Sequence, residues 1–186
     1  MSVHISRHRF TVEAYYRMAE CGILPRDLRV ELLDGEIVEM TPIGDRHAAC
    51  VDWLNNALVT GIAGRAIVRV QNPVRLGPRS EPQPDVALLR YRPDFYRAGH
   101  PGPNDVMVVI EVGDSSVDFD REVKTPLYAA SGIPEVWIID LIADRVEVYR
   151  GPGRRGYSEG ARRSRGERVS PLALPDLVLE VSAILG

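Results

Sequence analysis

The sequence predicts a mixed α/β fold, one sheet layered with helices, and three observations carry that expectation. Apolar residues recur at helical and at strand periods in successive segments. Two runs, 105–112 and 136–140, are almost continuously apolar, as strands covered on both faces are. No repeat, linker tract or composition break interrupts the 186 residues. At about 150 residues per domain, that length predicts a single domain over 1–186.

Each element has its own local reason. Thr11 can cap a helix over 11–20, in which Val12, Tyr15, Tyr16 and Ala19 share a face. Residues 29–40 alternate in polarity around Asp34-Gly35, the pair suited to a two-residue type I′ turn, and predict a β-hairpin. Asp45 is placed to cap a helix reaching about Ala63, with Val51, Leu54, Leu58 and Ile62 as its buried stripe and Gly61 and Gly64 loosening its end. Strands follow at 66–70, 74–76 and 86–89, punctuated by Pro73, Pro78, Pro82 and Pro84. Residues 105–112 and 136–140 are central strands, with a helix over 120–131 between them that Gly132 closes. Residues 145–150 alternate as a strand with one wet face, 177–181 form a last short strand, and 182–185 a terminal turn.

Composition excludes several classes. Lys plus Arg is 23 against 26 Asp plus Glu, a net charge of −3, and 45% of residues are hydrophobic, so the chain is neither a disordered acidic tail nor a polycation. The longest apolar run, 106–110, is far short of the ~20 residues that span a bilayer. The first nine residues have no apolar segment of a secretory kind, and Cys21 and Cys50 form neither a disulfide framework nor a zinc set. A soluble cytoplasmic protein is expected. Charge is uneven: seven arginines and two glutamates between 150 and 168 leave a local +5, while the remainder carries −8. This basic stretch reads first as a solvated hairpin loop, with contact to a phosphate backbone as the alternative.

Most short motifs carry nothing. Gly151-Pro152-Gly153-Arg154-Arg155-Gly156 has the letters of a dinucleotide fingerprint, but no helical period follows, so a flexible loop is expected. There is no phosphate-binding G-x-x-x-x-G-K-[ST], and Ser115 and Ser116 lack the G-x-S-x-G setting of a nucleophile. His4 and His8 are spaced to share a helical face but fall in an exposed terminal arm, where a metal site is not expected. The informative constellation is Gln83-Pro84-Asp85-Val86, then Val109-Ile110-Glu111-Val112, then Lys124 thirteen residues later. Two acids at the ends of adjacent buried strands are costly to desolvate unless a cation lies between them. A hard divalent ion fits, with a substrate phosphate and water completing its shell. The Lys124 ammonium could reach back over the strand end, hold the water and offset charge on a phosphate. The plain alternative is a turn-opening Pro-Asp, a glutamate bonded to backbone amides and a surface lysine.

The order and spacing of these motifs, with Asp120-Arg121-Glu122-Val123-Lys124, Tyr128 and Gly132-Ile133-Pro134-Glu135-Val136-Trp137-Ile138-Ile139-Asp140, resemble the Uma-two family of bacterial restriction-endonuclease-like proteins in the PD-(D/E)XK nuclease superfamily. Glu31 to Met40, His47 at a helix start and residues 172–185 resemble it too, so the likeness covers essentially the whole chain. It implies an α+β restriction-endonuclease-like core, with an N-terminal helix and β-hairpin, acting as a Mg²⁺- or Mn²⁺-dependent endonuclease on DNA. By that likeness Asp85 and Glu111 correspond to the metal-binding acids. Glycine at 113 stands where the superfamily's Glu-x-Lys has lysine, and Lys124 from the next helix takes its place. Glu31 could be a further acid of the site, and His47 a residue facing the phosphate or supporting the ligands. In the implied reaction a metal-bound water attacks phosphorus while Lys124 orients it. A homodimer is expected, no organic cofactor and no membrane. The alternative is a non-catalytic DNA-binding or assembly protein that keeps the fold. Thr125-Pro126 raises one conflict: proline is cheap only in a helix's first turn, so the helix must start near Thr125 or kink there.

Overall fold

The computed structural model describes residues 7–25 and 27–186. The expectations for the first six residues, His4 included, lie outside them, and His8 is exposed. Six strands make one sheet in the order β3 (Ala66–Val70), β4 (Val86–Arg90), β5 (Val106–Gly113), β6 (Glu135–Asp140), β7 (Arg145–Gly153), β8 (Gly156–Ser164). All neighbours are antiparallel except β5 and β6, which run parallel. A parallel pair needs a crossover, and residues 117–130 supply it. The restriction-endonuclease-like α+β expectation holds.

Side-chain alternation on the buried strands splits the core in two. Leu88, Ile110, Trp137 and Ile139 face one side with α2 (Asp45–Ile62) and α5 (Val181–Leu185). Ala87, Val109, Val136 and Ile138 face the other with Tyr128 and Ile133. In α2 the stripe Val51, Leu54, Leu58, Ile62 is buried as its spacing predicts. Gly44, not Asp45, is the N-cap, and Asp45 opens the first turn, where its charge complements the helix dipole.

The N-terminal elements lean on the sheet's entrance. Thr11 caps α1 (Val12–Glu20), accepting from the Ala14 amide at 3.2 Å. In the hairpin β1 (Val30–Leu33) and β2 (Glu36–Glu39), Asp34 and Gly35 have φ of 45° and 78°, the left-handed pair that the type I′ turn requires. The outer edge of β1 pairs with the loop before β4: the Glu81 amide donates to the Leu32 carbonyl at 2.7 Å, and Gln83 Nε2 to the Val30 carbonyl at 3.0 Å. Glu31 is thereby set beside Gln83-Pro84-Asp85.

Four expectations are corrected. Residues 74–76 form no strand, because the surrounding prolines remove ladder donors. Val74 and Leu76 instead donate to the Pro82 and Ser80 carbonyls inside a tight loop. The stretch 150–168 is largely strand rather than solvated loop. Gly151–Gly153 and Gly156 belong to the long hairpin β7–β8, with Pro152 tolerated because β6 pairs only as far as Arg150. The face of β7 expected to be wet carries Glu147 at 1% exposure, covered by Arg121, Arg145 and Tyr149. At the C-terminus β10 (Leu179–Glu180) pairs with β9 (Arg168–Val169), and the expected terminal turn is the short helix α5.

The proline conflict is resolved by a change of helical pitch. After α3 (Val117–Phe119) the chain makes one wide π-turn, Asp120–Lys124, in which the Thr125 amide donates to the Asp120 carbonyl. A new α-helix, α4 (Thr125–Ala130), starts there, with Pro126 in its first turn. The same crossover explains why residue 113 is glycine. A Cβ on Gly113 would lie 2.7 Å from Val117 Cβ and 2.8 Å from Val117 Cα, so the crossover's start occupies all the space a side chain at 113 would need. Gly113→Ala is expected to lower stability by about 1–3 kcal/mol in chemical unfolding, as overpacking does.

Candidate active site

The sheet's register brings the two predicted acids together. Val86 lies opposite Ile110, so Asp85, one residue before β4, and Glu111, near the end of β5, are neighbours at one end of the sheet. The Asp85 amide donates to Glu111 Oε2 at 3.3 Å, and the Val112 amide donates to Asp85 Oδ2 at 2.9 Å. Lys124 comes over this strand end from the π-turn. Its Nζ, on a side chain only 7% exposed, lies 3.2 Å from Glu31 Oε1, 3.3 Å from Glu111 Oε1 and 3.9 Å from Asp120 Oδ1. His47, in the first turn of α2, places Nε2 3.0 Å from Asp85 Oδ1. All five predicted site residues, Glu31, His47, Asp85, Glu111 and Lys124, line one cavity of about 440 Å³.

The structure adds residues that the motif reading did not place in the site. Asp120 joins the cluster and accepts from the Ser116 hydroxyl at 3.1 Å. The buried Tyr128 hydroxyl donates to Glu111 Oε1 at 2.6 Å, fixing that carboxylate from below. Gln71 Nε2 donates to Asp85 Oδ1 at 3.3 Å, and Arg29 stands at the cavity wall. Asp120 was detectable in principle: it stands four residues before Lys124, one helical turn away. The π-turn is held from outside by Arg121, which reaches Glu147 at 3.1 Å, Asp118 at 2.7 Å and Asp140 at 3.4 Å.

Four carboxyl groups thus face one ammonium and one imidazole in a largely buried site. Burial pushes the Glu111 carboxyl up to about 8, with Lys124 pulling against it and Asp120, Asp85 and Glu31 adding to it. Burial likewise lifts Asp120 to about 6 against the pull of Lys124. Burial would raise Asp85 too, but the hydrogen bond and charge of His47, the Val112 amide and Lys124 hold it below the ordinary value. The bond to Asp85 raises His47. Burial alone would lower Lys124, yet Glu111, Glu31, Asp120 and Asp85 outweigh it and hold the ammonium above its usual value. Among the described residues no three His, Cys, Asp or Glu side chains converge as they stand on a point that would hold a metal ion. The donor chemistry nevertheless fits a hard divalent cation, since the ligands are oxygens and the buried negative charge exceeds the positive.

Glu111, Asp120 and His47 all bind a proton more readily folded than unfolded. Their contribution to stability is complete below the unfolded values, and it is lost as pH rises through the folded ones, about 6 for Asp120 and about 8 for Glu111. In EDTA, Glu111→Gln, which keeps a neutral group in place, is therefore expected to gain thermal stability relative to the parent between pH 5 and pH 8.5. A difference that does not change with pH contradicts this reading.

Comparison with the curated proteins gives no match. Among solved structures, the chain superposes on a putative nuclease belonging to DUF820 from Anabaena variabilis. The TM-score is 0.73, with 16% identity, over 95% of this chain and 97% of that one. At that identity the likeness establishes the fold. The sequence evidence is broader: residues 12–182, which include all five predicted site residues, match the family model Uma2, described as "Putative restriction endonuclease". The chain belongs to the Uma2 family.

Proposed function

We propose that this protein is a metal-dependent endonuclease that hydrolyses DNA phosphodiester bonds at the cavity formed by Glu31, His47, Asp85, Glu111, Asp120 and Lys124. The observation that carries the reading is the buried ammonium of Lys124, 3.2 Å from Glu31 and 3.3 Å from Glu111 in a cavity with an excess of carboxylates. A surface or structural lysine does not need four buried acids, whereas a phosphoryl-transfer site needs both hard ligands for a cation and a positive group over the phosphate. Asp85 and Glu111 would hold Mg²⁺ or Mn²⁺, with Asp120 next to them. That ion supplies charge neutralisation on the phosphate and a water of lowered pKa.

The chain's own residues do the rest. Tyr128 and the Asp85 amide hold the Glu111 carboxylate in one orientation, and Gln71 and the Val112 amide hold that of Asp85. Lys124 Nζ lies among the acids at the cavity wall, where it can orient an attacking water and offset charge on the non-bridging oxygens. His47, its proton favoured by Asp85, adds a second positive group beside the same carboxylate. The basic stretch contributes less than its composition implies. Arg150, Arg162, Arg163, Arg165 and Arg168 are each paired with an acid, which leaves Arg154 and Arg155 at the hairpin tip without an acid partner among the described residues. Glu111 lies level with Glu147 through Ile138. From there the tip is about 20 Å further along β7, at about 3.3 Å per residue. Phosphate contacts at the scissile bond fall instead to Lys124, His47 and Arg29.

Asp85→Asn and Lys124→Ala, each checked for folding by circular dichroism, are expected to reduce Mg²⁺-dependent nicking of plasmid DNA by roughly 10²- to 10³-fold. Undiminished nicking in both variants overturns the assignment. Calorimetry is expected to detect Mn²⁺ binding to the parent and none to an Asp85→Asn, Glu111→Gln double variant.

A further inference from the structure

At the end of β4 away from Asp85 the chain turns sharply through 91–100, and the backbone there is strained. Phe95 and Tyr96 are consecutive non-glycine residues with φ of 50° and 59°. Bulky side chains rarely occupy the left-handed region, and such strain persists only where the surroundings enforce it. They do so here. Tyr96 is buried, its hydroxyl donates to the Arg90 carbonyl at 2.7 Å, and the Arg92 guanidinium stacks over its ring at 4.2 Å. Asp94 accepts both Arg92 Nε at 2.9 Å and Arg92 Nη2 at 2.6 Å, and the Phe95 amide donates back to the Arg92 carbonyl at 3.1 Å.

What this scaffold holds outward is aromatic. Phe95 is 65% exposed and Tyr91 53% exposed, with their ring centroids 6.2 Å apart and the rings at 76° to each other. Arg97, two residues after Phe95 in the same turn, is exposed and has no acid partner among the described residues. Two rings displayed by a rigid, strained loop contribute nothing to the core and expose apolar area to water.

We propose that Tyr91 and Phe95 form a stacking platform for unpaired nucleotide bases, with Arg97 as its phosphate contact. Rigid exposed aromatics next to an unpaired cation match single-stranded nucleic acid, because every base has a face to stack and stacking needs the base to be free of its partner. A duplex offers such faces only at its ends. β4 sets the distance from the platform to Asp85: the six residue steps from Asp85 to Tyr91, at about 3.3 Å each, put it about 20 Å from the cavity. The platform therefore rests on the endonuclease reading and deepens it, making an unpaired stretch flanking the cleaved bond part of the substrate.

The test separates the two claims by reading binding without cleavage. Full-length chain in EDTA is titrated with a fluorescent single-stranded oligothymidylate and with a duplex of equal length, followed by anisotropy. The expected result is tighter binding of the single strand, and an affinity lower by roughly ten- to a hundredfold in Tyr91→Leu/Phe95→Leu, which keeps apolar bulk without aromatic faces. Tyr91→Trp/Phe95→Trp is expected to restore the affinity. Equal binding by the leucine variant overturns the platform. So does conversion of a dimer to a monomer in that variant by light scattering, which would make the patch a contact between copies of the chain. Loss of nicking sensitivity to Asp85 with oligonucleotide binding intact would sink the nuclease reading and leave the platform standing.

Discussion

A buried ammonium organises this protein's functional end. Lys124 draws together acids from three separate parts of the chain: Glu31 from the N-terminal hairpin, Glu111 from a central strand, and Asp120 from its own turn. Each carboxylate alone would be costly to bury, and removing one partner from such a set typically costs ~3–5 kcal/mol. The hairpin, the sheet and the crossover are therefore coupled at one point. The balance is still incomplete, since the acids outnumber the cations. That residual negative charge is what the proposed divalent ion would balance.

The rest of the architecture can be understood as support for that point. The antiparallel β4–β5 register sets Asp85 beside Glu111, and the parallel β5–β6 pair forces a crossover to pass over the same strand end. Gly113 lets the crossover start close to the sheet. The π-turn then supplies Asp120 and Lys124 and ends where Pro126 can begin a new helix. Outside it, Arg121 ties the turn to the buried Glu147 and Asp140 on neighbouring strands. A lysine delivered from the crossover thus reaches the acids although the strand position itself has no room for a side chain.

Much of this is legible in the sequence, and the exceptions have physical reasons. The apolar runs of β5 and β6, the Asp34-Gly35 turn and the helical stripe of α2 are local signals, and they put Asp85 and Glu111 at strand ends and His47 at a helix start, where the structure has them. The π-turn is not local in the same way. It follows from tertiary packing around Thr125-Pro126, so the sequence shows a conflict without its resolution. Asp120 and Tyr128 are visible as motif letters, but only the wide turn shows that they face Glu111. The wet face expected for β7 failed because Glu147 gains Arg121 from the crossover and Arg162 from β8 besides Arg145 on its own strand, something alternation of polarity cannot reveal. The basic stretch misleads for a related reason: five of its seven arginines are paired with acids, four of those acids outside the stretch.

The central claim is that the carboxylate excess around Lys124 is a divalent-cation site for phosphodiester hydrolysis. Crystals soaked in Mn²⁺ and measured at the manganese absorption edge test it most directly. The account requires an anomalous peak between Asp85 and Glu111, with Lys124 Nζ within reach of the ion's water shell. An empty cluster at saturating Mn²⁺, with Lys124 still bound to Glu31 and Glu111, would contradict it.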